Sequence, residues 1–255
     1  APQSPFRRFV SNTSYGSTRL ERTYRTNAVV IRTYKSGEAD RIVVLMTEAE
    51  GKVRAVAKGA RKSKRTGALL DSLAHVDVQL YRGKGDLDTV TQVQAIDTFG
   101  SIRSDLDKFT RAASFVEAVD HVTPDREPHD RLYRMLVGAL RTVDGANHPL
   151  TSAGFFLKLL ALEGLAPVLD RCVSCGETEP LVSFDPINCG TRCASCRSGI
   201  PLSDEGIRIC RLILNGGLAA AFQLPESPVF DDVNHLAATM LEHQTERKLK
   251  SLSTI

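Results

Sequence analysis

HVDVQLYRGKGDLDTVTQVQAID, residues 75–97, reads as two strands joined by a tight loop. Over 75–81 the side chains of Val76, Val78 and Leu80 fall on one face and those of His75, Asp77, Gln79 and Tyr81 on the other. This two-residue period marks a strand with one buried face. Gly83-Lys84-Gly85-Asp86 supplies the loop, and 88–97 returns. Upstream, 28–34, 41–47 and 52–58 are short and rich in Val and Ile, with the turn residues Ser36-Gly37 and Glu50-Gly51 between them.

Five strands between 28 and 97, with one longer excursion between the third and fourth, suit a small five-stranded barrel of the oligonucleotide-binding (OB) kind. A small antiparallel sandwich or an SH3-like barrel is the competing fold. From about residue 101 the period changes. Phe109, Ala112, Ala113, Val116 and Val119 recur at helical spacing up to Pro124. A second helix is expected from Pro128 through Leu132, Met135, Leu136 and Leu140, with the proline at the first helical position. A third covers 150–165, stopped by Gly164 and Pro167, and two more cover 203–214 and 231–249. The fold class is α+β: an N-terminal barrel, then an all-α domain interrupted by a cysteine module. The expected divisions are a basic, disordered leader over 1–24, the barrel over 25–100, helices over 101–169, the module over 170–202 and further helices over 203–255.

Charge is divided unevenly. Residues 1–100 carry 17 Lys and Arg against 10 acids, a net +7, whereas 101–255 carry 16 against 20, a net −4. The positive field belongs to the front of the molecule, which points to a polyanion there. No stretch approaches the ~20 apolar residues of a membrane helix, and there is no apolar signal-peptide core. The arginine-rich start also fits a transit peptide, although a disordered leader is the better reading. Trp is absent, so no large stacking platform is expected.

All six cysteines lie within 172–210. Cys172-x-x-Cys175 and Cys193-x-x-Cys196 make two knuckles, each able to aim two sulfurs at one ion. Together they form a tetrahedral four-thiolate zinc site, expected to hold one structural ion. Four protein ligands leave no place for water or substrate, so the site is structural rather than catalytic. Such an ion contributes on the order of 10 kcal/mol to folding, which a short module with little apolar content needs. Neither a thioredoxin-like redox pair nor a deaminase zinc site fits this spacing. Cys189 has a poorer spacing and is read as free, and Cys210 as a buried core thiol. No carboxylate–histidine constellation is visible, so no catalytic residue is assigned and no enzymatic activity is expected.

Lys52, Arg54, Lys58, Arg61, Lys62, Lys64 and Arg65 place seven cations in fourteen residues with no acid among them. In an unbroken strand Lys52, Arg54 and Lys58 share one face, and the chain then passes through Gly59 into a basic loop at 61–65. Lys35, Arg82 and Lys84 fall in loops that flank a barrel's binding face. A solvated surface is the bland reading of such a run, but the acids that usually interleave for solubility are missing. Nucleic acid, held mainly by its phosphates, is the better one, and these ten cations are the candidate contacts.

These residues resemble the bacterial RecO family of recombination mediators. The resemblance rests on Tyr34-Lys-Ser-Gly-Glu-Ala-Asp40, Ile42-Val43-Val44-Leu45 with Thr47, Gly51-Lys52, the segment Val-Ala-Lys-Gly-Ala-Arg-Lys at 56–62 with Arg65, and the module with Cys172, Cys175, Gly176, Phe184, Cys193 and Cys196. It extends from about residue 25 to the end. Two places depart from the pattern: Cys189 stands where the family often has the first of a glycine pair, and 66–70 is not a close match. The resemblance implies a cytoplasmic, nucleoid-associated protein with zinc as its sole cofactor. It would bind single- and double-stranded DNA, anneal complementary strands and help RecA replace single-strand-binding protein. The implied partners are RecR, the C-terminal tail of single-strand-binding protein, RecA, and RecF in some pathways, with no membrane. From the residues alone, an RNA-binding factor with the same fold and a scaffold that contacts only proteins stay open.

Overall fold

In the computed structural model residues 22–252 are described. β1 (Thr23–Ser36), β2 (Asp40–Thr47), β3 (Gly51–Ala57), β4 (His75–Tyr81) and β5 (Leu87–Asp97) close into a barrel in the order β1-β2-β3-β5-β4. All neighbouring pairs are antiparallel except β3 and β5, which run parallel. This is the OB-like barrel that the strand pattern suggests, and its closure excludes the sandwich. Most of the leader expected over 1–24 lies outside the described residues. Its last two residues do not belong to it: Thr23 and Tyr24 are already in β1, paired with Tyr81 and Leu80 of β4.

The runs Ala28-Val29-Val30-Ile31 and Val43-Val44-Leu45-Met46 do not alternate with polar residues, because both faces of β1 and β2 are buried. Ala28, Val30, Val43 and Leu45 point into the barrel with Val53, Ala55, Val76, Val78 and Leu80. Val29, Ile31, Val44 and Met46 point outward into the helical core. Covering each of these outward side chains is worth on the order of 2 kcal/mol. The barrel therefore depends on the helices that follow it.

α1 (Lys64–Leu69) occupies the excursion between β3 and β4, where the sequence suggests only a basic loop through Arg65. Ser63 caps it by accepting from the Thr66 N–H at 3.2 Å, and Arg41 of β2 donates to the Gly67 carbonyl at 3.0 Å. α2 (Gly100–Ser104), α3 (Leu106–Val122), α4 (Asp130–Asp144) and α5 (Thr151–Leu162) follow. Asp105 caps α3 through the Lys108 N–H at 3.0 Å. α4 starts after Pro128, with His129 at the cap, so the proline precedes the helix rather than opening it. The core of the bundle is aromatic: Phe115 stacks on Phe155 at 4.3 Å and meets Phe156 edge-on at 5.7 Å.

The cysteine module contributes β6 (Leu181–Asp185), β7 (Gly190–Cys193) and β8 (Ile200–Pro201), in the order β7-β6-β8. α6 (Asp204–Leu214), α7 (Leu218–Ala221) and α8 (Val229–Thr245) then complete the bundle. α8 is shorter than the expected 231–249 helix at its C-terminal end, because Glu246 takes a left-handed conformation (φ 53°) and stops it. The last described residues return to α3: Glu117 accepts from the N–H groups of Lys250 and Ser251 at 3.1 and 3.0 Å.

Ion pairs join barrel to bundle. Lys52 is only 7% exposed, and its ammonium lies 3.1 Å from Asp120 and 3.5 Å from Asp125. Arg32 meets Asp120 at 2.8 Å and Arg54 meets Asp125 at 3.0 Å. Gly51 (φ 68°) lies so close to the α3–α4 connection that a Cβ there would stand 1.8 Å from the Glu127 carbonyl oxygen. We expect Lys52→Met to lower the unfolding free energy by about 3 kcal/mol, the low end for a broken buried pair because Arg32 stays against Asp120. Urea unfolding monitored by circular dichroism would measure the change, and a shift of the midpoint indistinguishable from zero would refute the assignment.

Candidate nucleic-acid interface and metal centre

The structure divides the ten cations into three groups. Lys58, Arg61, Lys62, Lys64 and Arg65 are exposed on the turn after β3 and the first residues of α1. None of them forms an ion pair among the described residues. Arg61 donates to the Gly37 carbonyl at 2.7 Å, and its own N–H donates to the Ala39 carbonyl at 2.9 Å. The basic turn is thereby fixed to the β1–β2 connection, beside which Lys35 is also exposed and unpaired among the described residues. Six cations thus gather at one end of the barrel.

Arg82 and Lys84 belong to the β4–β5 loop, where the Tyr81–Thr23 register sets them at the opposite end of β1. There Arg82 pairs with Glu50 at 2.8 Å and lies 4.9 Å above the Tyr24 ring. Beneath this loop Asp88 is fully buried. It accepts from the Tyr24 hydroxyl at 2.5 Å, from Arg126 at 2.7 Å and from the Gly83 N–H at 3.1 Å. Burial pushes its carboxyl up, but these hydrogen bonds outweigh that cost and hold it below the usual carboxylate range. The hub fixes the loop, the first strand and the α3–α4 connection to one another.

Lys52 and Arg54 form the third group, and for Lys52 the structure corrects the sequence reading. The face it shares with Arg54 turns toward Asp120 and Asp125, so Lys52 is buried structure rather than a phosphate contact. Arg54 remains exposed but paired. The outer face of β2 and β3 is where barrels of this type usually hold oligonucleotides. Here the helical core covers Val44 and Met46 on that face.

At the second centre, the sulfurs of Cys172, Cys175, Cys193 and Cys196 all lie within 4.8 Å of one another, and the Cys175 and Cys193 sulfurs are 3.6 Å apart. Four sulfurs placed tetrahedrally at about 2.3 Å from one ion stand roughly 3.8 Å apart, so this quartet has the size to hold a metal. Cys189 stands apart from it, with its thiol donating to the Leu165 carbonyl at 3.7 Å. Backbone hydrogen bonds, the largest at Cys193, pull the Cys172 thiol down, while hydrogen bonds with the Cys175 and Cys193 sulfurs push the Cys196 thiol up, so the four share their protons as one group. Gly190 lets the β6–β7 hairpin close on the first knuckle, since a Cβ there would meet Val173 at 2.2 Å.

Asp185 and Arg192 brace this hairpin from behind. Arg192 binds Asp185 through both Nε (2.9 Å) and Nη2, and reaches Ser174 of the first knuckle at 2.8 Å. Burial pushes the Asp185 carboxyl up, but hydrogen bonds from Asn188 and Arg192 and from the N–H groups of Asn188 and Ile187 hold it at about 2.

Two family models match the chain: "Recombination protein O N terminal" over residues 21–99 and "Recombination protein O C terminal" over 103–253. The DNA repair protein RecO of Cutibacterium acnes is 40% identical over 241 residues, covering 90% of this chain and 97% of that protein. The chain belongs to the RecO family. Within this RecO-family chain, no helix of the described residues is long and apolar enough to cross a membrane. Two residue sets that position the sites escape a sequence reading. Tyr24, Asp88 and Arg126 are far apart in the chain and carry no motif. Arg192 did have a signal, as the cation directly before the second knuckle.

Metal analysis by mass spectrometry should find one divalent ion per chain in the wild type and none in the Cys172→Ser/Cys193→Ser double variant. Wild-type protein purified without chelators yet free of metal would contradict the assignment. The folded Asp185 carboxyl titrates below its unfolded value. Its contribution to stability is therefore complete above about pH 4 and disappears as the pH falls through about 2. In Asp185→Asn, acid titrations of stability should lose that limb, and an unchanged acid profile would argue against the Arg192 brace.

Proposed function

We propose that this chain is a non-catalytic recombination mediator in DNA repair. It binds single- and double-stranded DNA, anneals complementary strands and helps the RecA recombinase replace single-strand-binding protein. The observation that carries this reading is the set of exposed, ion-pair-free cations Lys58, Arg61, Lys62, Lys64 and Arg65 on a turn fixed by the Arg61–Gly37 hydrogen bond. Membership of the RecO family and a close relative named as a DNA repair protein support it.

Two complementary strands approach slowly because both are polyanions. A surface that neutralises several phosphates lets them meet while leaving their bases free to pair. The cations do this without reading sequence, as annealing of arbitrary strands requires. Zinc is the ion the four thiolates suit best, and its role is to hold the module's fold. The helical domain is the natural surface for RecR, for the tail of single-strand-binding protein and, in some pathways, for RecF. The cytoplasm, in association with the nucleoid, is the compartment this reading requires.

If about five of these cations touch single-strand phosphates, log K should fall against log salt with a slope near −3.5, about −0.7 for each contact. The Arg61→Glu/Lys62→Glu/Arg65→Glu variant should fail to anneal oligonucleotides coated with single-strand-binding protein, while keeping its metal and its fold. A flat salt response, or a variant that anneals as fast as the wild type, would remove the basis of the proposal.

A further inference from the structure

We propose that a single DNA strand, and not a duplex, is held in the cleft between α1 and the second half of β5. The inference rests on the DNA-binding reading above and assigns it a path. β3 and β5 are paired only from Arg54↔Leu87 to Val56↔Thr89, yet β5 continues to Asp97. Its other edge stays on β4, with Gln94 opposite Asp77 and Val93 opposite Val78. From Val90 onward the edge that would face β3 has no neighbouring strand, and α1 stands across the gap. The result is a cleft of about 440 Å³.

Its lining has the chemistry of a strand with unpaired bases. Lys58 and Arg65 contribute two cations that form no ion pair among the described residues, and no acid lines the cleft. Between them the exposed amides of Gln92 and Gln94 make no side-chain hydrogen bond among the described residues. Val90 and Val93, which pack against the barrel core, are only partly buried here and give the floor an apolar character. Cations suit phosphates. An amide carries both donors and an acceptor, so it can meet the edge of any base without selecting among them. A duplex has its Watson–Crick edges already paired and shows bases only at the bottom of its grooves, so amides lying in a cleft beside α1 meet its phosphates before its bases. With no aromatic ring in the lining, affinity comes from phosphates and amides rather than from stacking.

The usual route across β2 and β3 is largely taken up by the helical domain, whereas this gap adjoins the basic turn. Val44 and Met46 lie under the helical core, and Lys52 and Arg54 are engaged by Asp120 and Asp125.

The test uses the full chain and two probes of equal length, a thymine oligodeoxynucleotide and a mixed-sequence duplex, followed by fluorescence anisotropy at fixed low salt. The variant is Gln92→Glu/Gln94→Glu, checked for unchanged melting temperature and metal content. It should bind the single strand about tenfold or more weakly, while duplex affinity changes less than about twofold. In parallel, an oligonucleotide carrying 4-thiothymine is photocrosslinked to the wild type, and its adducts should map to the peptide containing residues 87–97. If the wild type binds both probes, the variant binds both equally well and the adducts fall elsewhere, the cleft is wrong and the DNA-binding reading stands. Equal losses for both probes would make the cleft part of a general phosphate surface and overturn its selectivity. A wild type that binds neither probe would overturn the DNA-binding reading itself, and the cleft with it.

Discussion

A strand cannot bury four successive apolar side chains by closing a barrel, because a barrel covers only its inner face. β1 and β2 each carry such a run, and half of each run looks outward. The helices resolve this by laying their own core over Val29, Ile31, Val44 and Met46. Much else in the molecule follows from that contact. It fixes the position of α3 and α4 against the barrel, brings Asp120 and Asp125 over Lys52 and Arg54, and presses the α3–α4 connection onto Gly51. The change of pattern near residue 100 separates two kinds of secondary structure without separating two independent cores.

The same contact sorts the charges. Cations on the covered side are neutralised by acids from the end of α3 and the connection that follows it, whereas those on the turn after β3 are left without acidic partners among the described residues. A surface ion pair contributes little to stability, but a paired cation is less available to a phosphate. The barrel thus offers its charge at one end and gives up much of the face on which barrels of its class commonly bind. At the distant cysteine module, stability rests on local chemistry instead. Four sulfurs converge through two short knuckles, and the Asp185–Arg192–Ser174 chain of hydrogen bonds holds the hairpin that carries them.

What could be read in the sequence was whatever its local pattern determines. The alternation at 75–81 identifies β4, the two Cys-x-x-Cys spacings identify the sulfur quartet, and the helical period locates α3 to α6. What could not be read depends on partners far along the chain. Lys52 looks like its basic neighbours, and it is Asp120 and Asp125, far along the chain, that take it out of the surface. The first residues of β1, Thr-Tyr-Arg-Thr-Asn, have no apolar rhythm and are strand because β4 pairs with them. α1 has six residues, including a glycine and a threonine, and is too weak a helix to predict from propensity. Its Ser63 cap and the Arg41 hydrogen bond to Gly67 secure it.

The engagement of Lys52, Arg54 and Arg32 by acids of the helical domain also has an effect at a distance. With these cations compensated, most of the unpaired cations on the described part of the barrel lie toward one end, while residues 101–255 still carry more acids than bases. Such a molecule is an electric dipole. In the field of a polyanion it experiences a torque before it experiences contact, and it turns its basic end inward while its acidic helices trail outward. Orientation at encounter therefore need not be found by random rotation, and the helical surfaces stay open on the side away from the strand.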